Sequence, residues 1–375
     1  MIPYSKHSFS EKELDAVISQ IQKGNIARGT IIDDFEQECS VYLDSHCVSC
    51  SSGSAALEVA LRAAGVGPGD EVIVPNISWI ATASSVNLVG AVPIFCDVMK
   101  GFPNIDIESV KRVISRRVKV VIPVHFGGVA VDLSELKEVC DAYGTLIIED
   151  ACHAMGGMYK DGTKIGSSNK SLAACFSFHP AKNITTGEGG LISTQSSNFL
   201  ERVRVIRSGG VQRIGTSLTK KSFYDCTELG SNYHMTAISA AIGIVQLRKL
   251  NNFVEKRREI WSYYEQEISE LEQFSLYQHP HYSGFNLCIA SVNNHRNLLM
   301  ELLIKDDIGV HFHYPLISEL NIYNEKKVKS KVDSVLTNCY KYESNSLTLP
   351  LYPELSYKEV DYIVSRVKYH LGQFR

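Results

Sequence analysis

The chain has 375 residues, 44% of them hydrophobic and 21% charged, with a net charge of −3. That length allows one large core and a smaller one, and with acids and bases interspersed and no basic block, nothing in the charge pattern points to nucleic acid. Residues 1–10 lack the apolar stretch of a secretory signal, and apolar runs such as 118–124 fall far short of the roughly 20 residues of a bilayer span, so the chain reads as cytoplasmic with no membrane partner.

In chain order, Cys47-Val48-Ser49-Cys50 reads as a strand running into a Gly/Ser loop. From there to about residue 195, apolar runs at 71–75, 91–98, 118–126 and 145–150 alternate with helical stretches at 54–64, 79–89, 107–115 and 133–143. Strands alternating with helices of this length predict an α/β fold of βαβ units, with a large, mainly parallel sheet sandwiched by helices. Turn signals punctuate it: Gly67-Pro68-Gly69-Asp70 precedes one strand, and Asp132 is placed to cap a helix. A small-residue helix follows at 237–243, then a charged amphipathic stretch at 244–271 that reads as a linker helix. The remainder mixes short strands with helices such as Tyr357–Leu371 and predicts a smaller C-terminal α/β domain. The expected division is 1–250, with the N-terminal segment, and 251–375.

Ten cysteines are scattered singly, in a chain too large to need disulfide staples, which fits a reducing compartment. Cys47 and Cys50 have C-x-x-C spacing, but zinc needs a second pair, so no metal site is expected. His279, His281 and His311 read as surface or packed histidines, and His125 as a strand-end residue lining the sheet crevice.

In open α/β sheets ligands bind beyond the carboxyl ends of the strands, and four segments there carry chemistry. Ser51-Ser52-Gly53-Ser54-Ala55-Ala56-Leu57 is either a tight strand-to-helix turn or an anion site, since its free N–H groups and helix dipole favour a phosphate. Leu146-Ile147-Ile148-Glu149-Asp150 ends a strand with two carboxylates, which the two-residue period sends to opposite faces. A carboxylate in a sheet crevice needs a cation, such as a pyridinium nitrogen; the alternative is that Asp150 caps the next segment. In Phe176-Ser177-Phe178-His179-Pro180-Ala181-Lys182, followed by a glycine-rich loop, the lysine has the chemistry to form a Schiff base once deprotonated. Ser177 is placed to hold a phosphate. Gly230-Ser231-Asn232-Tyr233-His234 is by itself a turn before a helix.

In this order and spacing, these segments resemble the DegT/DnrJ/EryC1/StrS family of sugar aminotransferases, fold-type I enzymes of pyridoxal 5′-phosphate (PLP). The resemblance covers nearly the whole chain, from Gly24, Gly29 and Phe35-Glu36 through Pro123-Val124-His125 and Glu149-Asp150-Ala151 to Gly187-Glu188-Gly189-Gly190. It ends with His313-Tyr314-Pro315 and Leu349-Pro350-Leu351-Tyr352-Pro353. It implies that Lys182 holds PLP and shuttles the proton, and that Asp150 pairs with the ring nitrogen. It further implies that Trp79 stacks on the ring and that Gly53, Ser54 and Ser177 bind the phosphate. Asn232 is expected to reach the cofactor of a partner subunit, which makes the protein a homodimer with shared sites.

Two residues depart from the family pattern. His153 stands where glutamine is usual, and is kept as a cofactor contact. His234 stands where an arginine is a candidate contact for the donor's carboxylate: either the imidazole gains charge beside that carboxylate, or it faces away and another basic residue holds the donor. His179, His313 and Tyr314 are the further expected substrate contacts. The loop from Ile184 to Gly190 resembles members that aminate C4 of a nucleotide-linked 4-keto-6-deoxyhexose. L-glutamate is the expected donor, and 3-keto sugars, cyclitol ketones or a sugar dehydratase are the alternatives.

Overall fold

A computed structural model describes residues 1–213 and 224–374. Seven strands, β1 (His46–Cys50), β2 (Glu71–Pro75), β3 (Val92–Cys96), β4 (Val118–Val121), β5 (Leu146–Asp150), β6 (Ala173–Ser177) and β7 (Gly190–Thr194), form the large sheet with a short edge strand at Lys331–Val332. The order is β1-β7-β6-β5-β4-β2-β3 followed by the edge strand. Every pairing is parallel except those of β7, which runs antiparallel to β1 and β6.

Both faces of this sheet are dry. Alternation sends Val72, Val74 and Ile148 to one face, against the helix Gly53–Ala63 and Phe199, Leu200 and Val203. Ile73, Val121 and Ile147 go to the other, against Val110, Leu133 and Leu136, while Phe176 and Leu191 meet Phe35 and Leu247. Each such side chain, fully buried, contributes roughly 1.5–3 kcal/mol. The expected mainly parallel sheet between helix layers is the one observed. Asp132 caps the helix Leu133–Asp141 as read, its carboxylate accepting from the Ser134 N–H at 2.9 Å. The run expected to be a strand over 118–126 stops at Val121, because Pro123 has no N–H to continue the ladder. The chain then turns through Phe126–Gly128.

The two helical stretches expected at 237–243 and 244–271 are one helix, Ala237–Ile268, capped by Thr236. Its first half buries Ile244, Leu247 and Leu250 against the large sheet's helices. Its second half buries Ile260, Trp261 and Tyr264 against a three-stranded antiparallel sheet of Phe274–Leu276, Cys288–Val292 and Ser346–Leu349. The division expected at residue 250 therefore falls inside one helix. The chain also crosses back: Ile317 and Tyr323 join the large core, Lys331–Val332 pairs with β3, and buried Asp333 takes the Arg112 guanidinium at 2.7 Å. At the other terminus Ile2 pairs with Ile308, and the Tyr4 carbonyl accepts from the Leu351 N–H, which fastens the N-terminal segment to the smaller half. Among the described residues no helix is long and apolar enough to cross a membrane.

Gly190 opens β7 opposite both Cys50 and Ser177. A Cβ there would lie 2.2 Å from the Ser52 carbonyl oxygen, and backbone cannot swing away as a side chain can. Gly190→Ala is expected to push the Ser52–Gly53 turn off β7 and to cost about 1–3 kcal/mol. Urea unfolding checks this: the midpoint falls with the slope unchanged, and an unmoved midpoint would mean that the turn has slack.

Candidate active site

The carboxyl ends of β1, β5 and β6 open into a cavity of about 480 Å³ whose wall includes Gly53, Trp79, Asp150, His153, Ser177 and Lys182. The register brings them level: Asp150 pairs with Cys175 on β6, two residues before Ser177, and Ser177 pairs with Gly190, which also meets Cys50.

Asp150 is 4% exposed. One carboxylate oxygen accepts from the Thr82 hydroxyl at 2.7 Å and the other from the Cys152 N–H at 3.1 Å. One oxygen thus caps the following turn, as one reading of the sequence had it, and Asp150 also lines the cavity. Its hydrogen-bond partners are neutral, and among the described residues no cation lies within ion-pair distance of this buried carboxylate. Lys182 lines the same cavity. Burial pulls its ammonium below the ordinary pKa, against the opposing pull of Cys152 and Asp150, which favours the nucleophilic amine.

Ser52 caps the helix Gly53–Ala63, its hydroxyl accepting from the Ala55 N–H at 3.1 Å. A Cβ on Gly53 would sit 2.8 Å from the Ser177 Cβ and 3.0 Å from the Cys152 sulfur, so glycine is what lets the helix start close on Ser177. The positive helix end, the hydroxyls of Ser54 and Ser177 and the open first-turn N–H groups could together hold an anion. Trp79 is 58% exposed and turns its ring towards the Tyr314 ring at 5.8 Å.

His153 is buried between Phe126 and Tyr314. Its Nδ1 accepts from the Gly127 N–H at 3.3 Å and its Nε2 lies 3.2 Å from the Tyr314 hydroxyl. Burial first, then the charges of Lys182 and His313, hold its pKa well below the ordinary value. His313 is buried too, with Nδ1 2.9 Å from the Thr348 hydroxyl, and His179 stands exposed at the mouth with its N–H directed to Ser177 Oγ.

The cavity holds residues that the sequence did not mark. Thr82 and Ser78 orient Asp150, but a helix hydroxyl carries no local signal of the carboxylate it will meet. Tyr4 and His311 line the wall, brought there by the pairing of Ile2 with Ile308. His125 corrects an expectation: it is absent from the cavity wall and wholly buried on the far side of β5. There its Nε2 meets Glu149 at 2.5 Å, and Tyr159 and Ser171 donate to the same carboxylate. Glu149 and Asp150 thus face opposite sides, as their spacing predicts.

Asn232 and His234 do not line their own chain's cavity. Asn232 is exposed, next to the backbone bridge it shares with Ser208. In the chain by itself, burial first, then the charges of Arg207 and Arg28, push the His234 pKa down to about 4, so without a carboxylate beside it the imidazole is neutral near pH 7.

The sequence pattern of the DegT/DnrJ/EryC1/StrS aminotransferase family matches residues 7–368, and the chain belongs to that family. It is a transaminase, and PLP is the cofactor of this enzyme family. Among solved structures it is similar to Spr1654 of Streptococcus pneumoniae, a candidate sugar aminotransferase solved in a PLP form (28% identity, 98% of each chain, TM-score 0.89). It is also similar to the aminotransferase TlmJ of Streptoalloteichus hindustanus (27% identity, 99% of each chain, TM-score 0.90). Helicobacter pylori PseC, an aminotransferase of pseudoaminic acid biosynthesis, shares the fold at 24% identity over the full length of both chains (TM-score 0.91).

The His234 environment has a pH consequence. A base whose pKa falls from about 6.5 unfolded to about 4 folded favours the folded state above pH 6.5 and loses that contribution as pH falls towards 4. Between pH 6 and 8 the imidazole should stay neutral, so the donor half-reactions of wild type and His234→Gln should show pH profiles of the same shape. An inflection near pH 6.5 that vanishes in His234→Gln would restore the charged imidazole.

Proposed function

We propose that this aminotransferase aminates C4 of a nucleotide-linked 4-keto-6-deoxyhexose, with L-glutamate as donor, in the cytoplasm as a homodimer with shared sites. One observation carries the cofactor site: an amine with a lowered pKa and a buried carboxylate without counter-charge line one cavity beside an anion cradle. The residues fit PLP. Lys182 would hold its aldehyde, Asp150 its ring nitrogen, and Gly53, Ser54 and Ser177 its phosphate, with Trp79 and His153 as further contacts of its ring.

Bound there, PLP supplies an electron sink for the carbanion left when the donor loses its α-proton. Asp150 keeps the proton on the ring nitrogen, because a close opposite charge favours the cationic form. Lys182 Nζ would take the donor's α-proton and, in the second half-reaction, deliver a proton to the sugar carbon. Because the keto acid leaves before the sugar binds, the kinetics are ping-pong. His179, His313 and Tyr314 are the proposed sugar-side wall.

The C4 reading rests on the loop from Ile184 to Gly190 and its likeness to C4-acting members. Asn232 supports the shared site: it is exposed and outside its own cavity, so a phosphate it touches belongs to another copy. Ten cysteines unpaired with one another support a reducing compartment.

Three outcomes are expected. Borohydride reduction and peptide mapping place the pyridoxyl label on Lys182, and Lys182→Ala loses label and turnover together; a label on another lysine sinks the assignment. Mixing Lys182→Ala with Asn232→Ala restores part of the activity, since a mixed dimer keeps one intact site, and a mixture still dead after proven subunit exchange removes the shared site. Against a panel of nucleotide-linked 4-keto and 3-keto sugars, turnover is highest with a 4-keto-6-deoxyhexose; a 3-keto preference overturns the C4 reading.

A further inference from the structure

The hydrogen-bond pattern around His153 fixes where its proton sits. Gly127 N–H donates to Nδ1, so Nδ1 carries a lone pair and the neutral ring's proton is on Nε2. That Nε2–H then points at the Tyr314 oxygen at 3.2 Å, and Tyr314 accepts. A hydroxyl that accepts there keeps its own O–H bond to donate elsewhere, and Tyr314 lines the cavity. Burial raises its pKa, so the proton is retained across the working range.

Strand order says what faces that donor. β5 lies between β6 and β4. The anion cradle is on the β6 side, where Gly53 closes on Ser177. His153, Gly127 and Tyr314 are on the β4 side, because Gly127 lies in the turn that follows β4. In the pyridine ring of PLP the nitrogen is opposite the carbon that carries the aldehyde, and the phosphate arm and the phenolic oxygen flank that carbon on opposite edges. Asp150 and Lys182 set the ring's long axis and the cradle takes the phosphate edge, so the phenolic oxygen faces the β4 side.

We propose that the Tyr314 hydroxyl, oriented by the His153 Nε2–H, donates a hydrogen bond to the phenolic oxygen of PLP. Tyr314 then binds the cofactor as well as lining the sugar-side wall, and His153 is a positioning residue that acts through it. The inference rests on the reading of this cavity as a PLP site. The titratable groups around the Tyr314 hydroxyl are Tyr4 from the N-terminal segment, Asp150, Cys152 and His153 from β5 and its turn, Lys182 from the loop after β6, and His313 beside it.

The test is a pH titration of the visible absorbance of the Lys182-linked cofactor, independent of turnover. When the linking nitrogen loses its proton, the phenolate loses its nearest positive charge, and an external donor then stabilises it more. The bond therefore lowers the midpoint, and Tyr314→Phe should raise it by about one pH unit, the size expected for one hydrogen bond to a charged oxygen. PLP affinity, read by fluorescence quenching, should fall several-fold. His153→Leu should shift the midpoint the same way, and His153→Gln, whose amide can still donate, should leave it near the wild-type value. An unmoved midpoint in a folded, PLP-binding Tyr314→Phe overturns the proposal. If that variant does not fold, the His153 pair decides: Leu raised and Gln unmoved supports it, and any other pattern overturns it. A wild-type protein with no visible cofactor band removes the PLP reading itself.

Discussion

The buried carboxylate of Asp150 is the constraint on which the site depends. It stands at the end of a strand covered on both faces, where an unbalanced negative charge is expensive. Two neutral donors, Thr82 and the Cys152 N–H, hold it in place without neutralising it. Its backbone is fixed as well, with its N–H on the Pro123 carbonyl and its carbonyl taken by the His125 N–H. A carboxylate held this rigidly is preorganised for a cation that arrives from outside the chain, and the lysine with a lowered pKa completes the pair of demands that one ring can satisfy.

That arrangement requires the two halves of the molecule to act as one body. The helix Ala237–Ile268 runs through both hydrophobic cores, and Lys331–Val332 and Asp333 tie the smaller half back to β3 and Arg112. The tie reaches the loop that carries Lys182. Asn183, next to Lys182, donates to the Met155 and Gly284 carbonyls, and its own oxygen accepts from Asn286, which also donates to the Ala181 carbonyl. The backbone on both sides of the lysine is thus held by the smaller half, so a shift between the halves would move the amine relative to Asp150.

Local signals were legible in the sequence wherever geometry follows from the residue itself. The two-residue period separated Glu149 from Asp150, Asp132 capped its helix, and Gly53 allowed the close turn. The ordered motif set carried the family, and with it the fold. The partners of those residues were hidden, because they come from elements far away in the chain: Thr82 under Asp150, Tyr4 through Ile2 and Ile308, and His125 against Glu149. The pKa of His234 was hidden for the same reason, since Arg28 and Arg207 become its neighbours only in the folded chain.

The protonation of the cavity wall follows from the same economy of charge. His153, His313 and His179 all have their pKa values lowered, each by burial first and with Lys182 adding to it. A protonated imidazole at any of these places would compete with a ring cation for the field of Asp150 and would raise the energy of a charged lysine. Kept neutral, the same rings each offer one N–H donor and one lone pair. A wall of neutral donors and acceptors suits a hydroxyl-bearing substrate and would leave the positive charge to a cofactor ring held at Asp150. The replacement of an amide by His153 fits this scheme, because a neutral imidazole held in one tautomer by Gly127 presents a directed N–H, as an amide does, without adding charge.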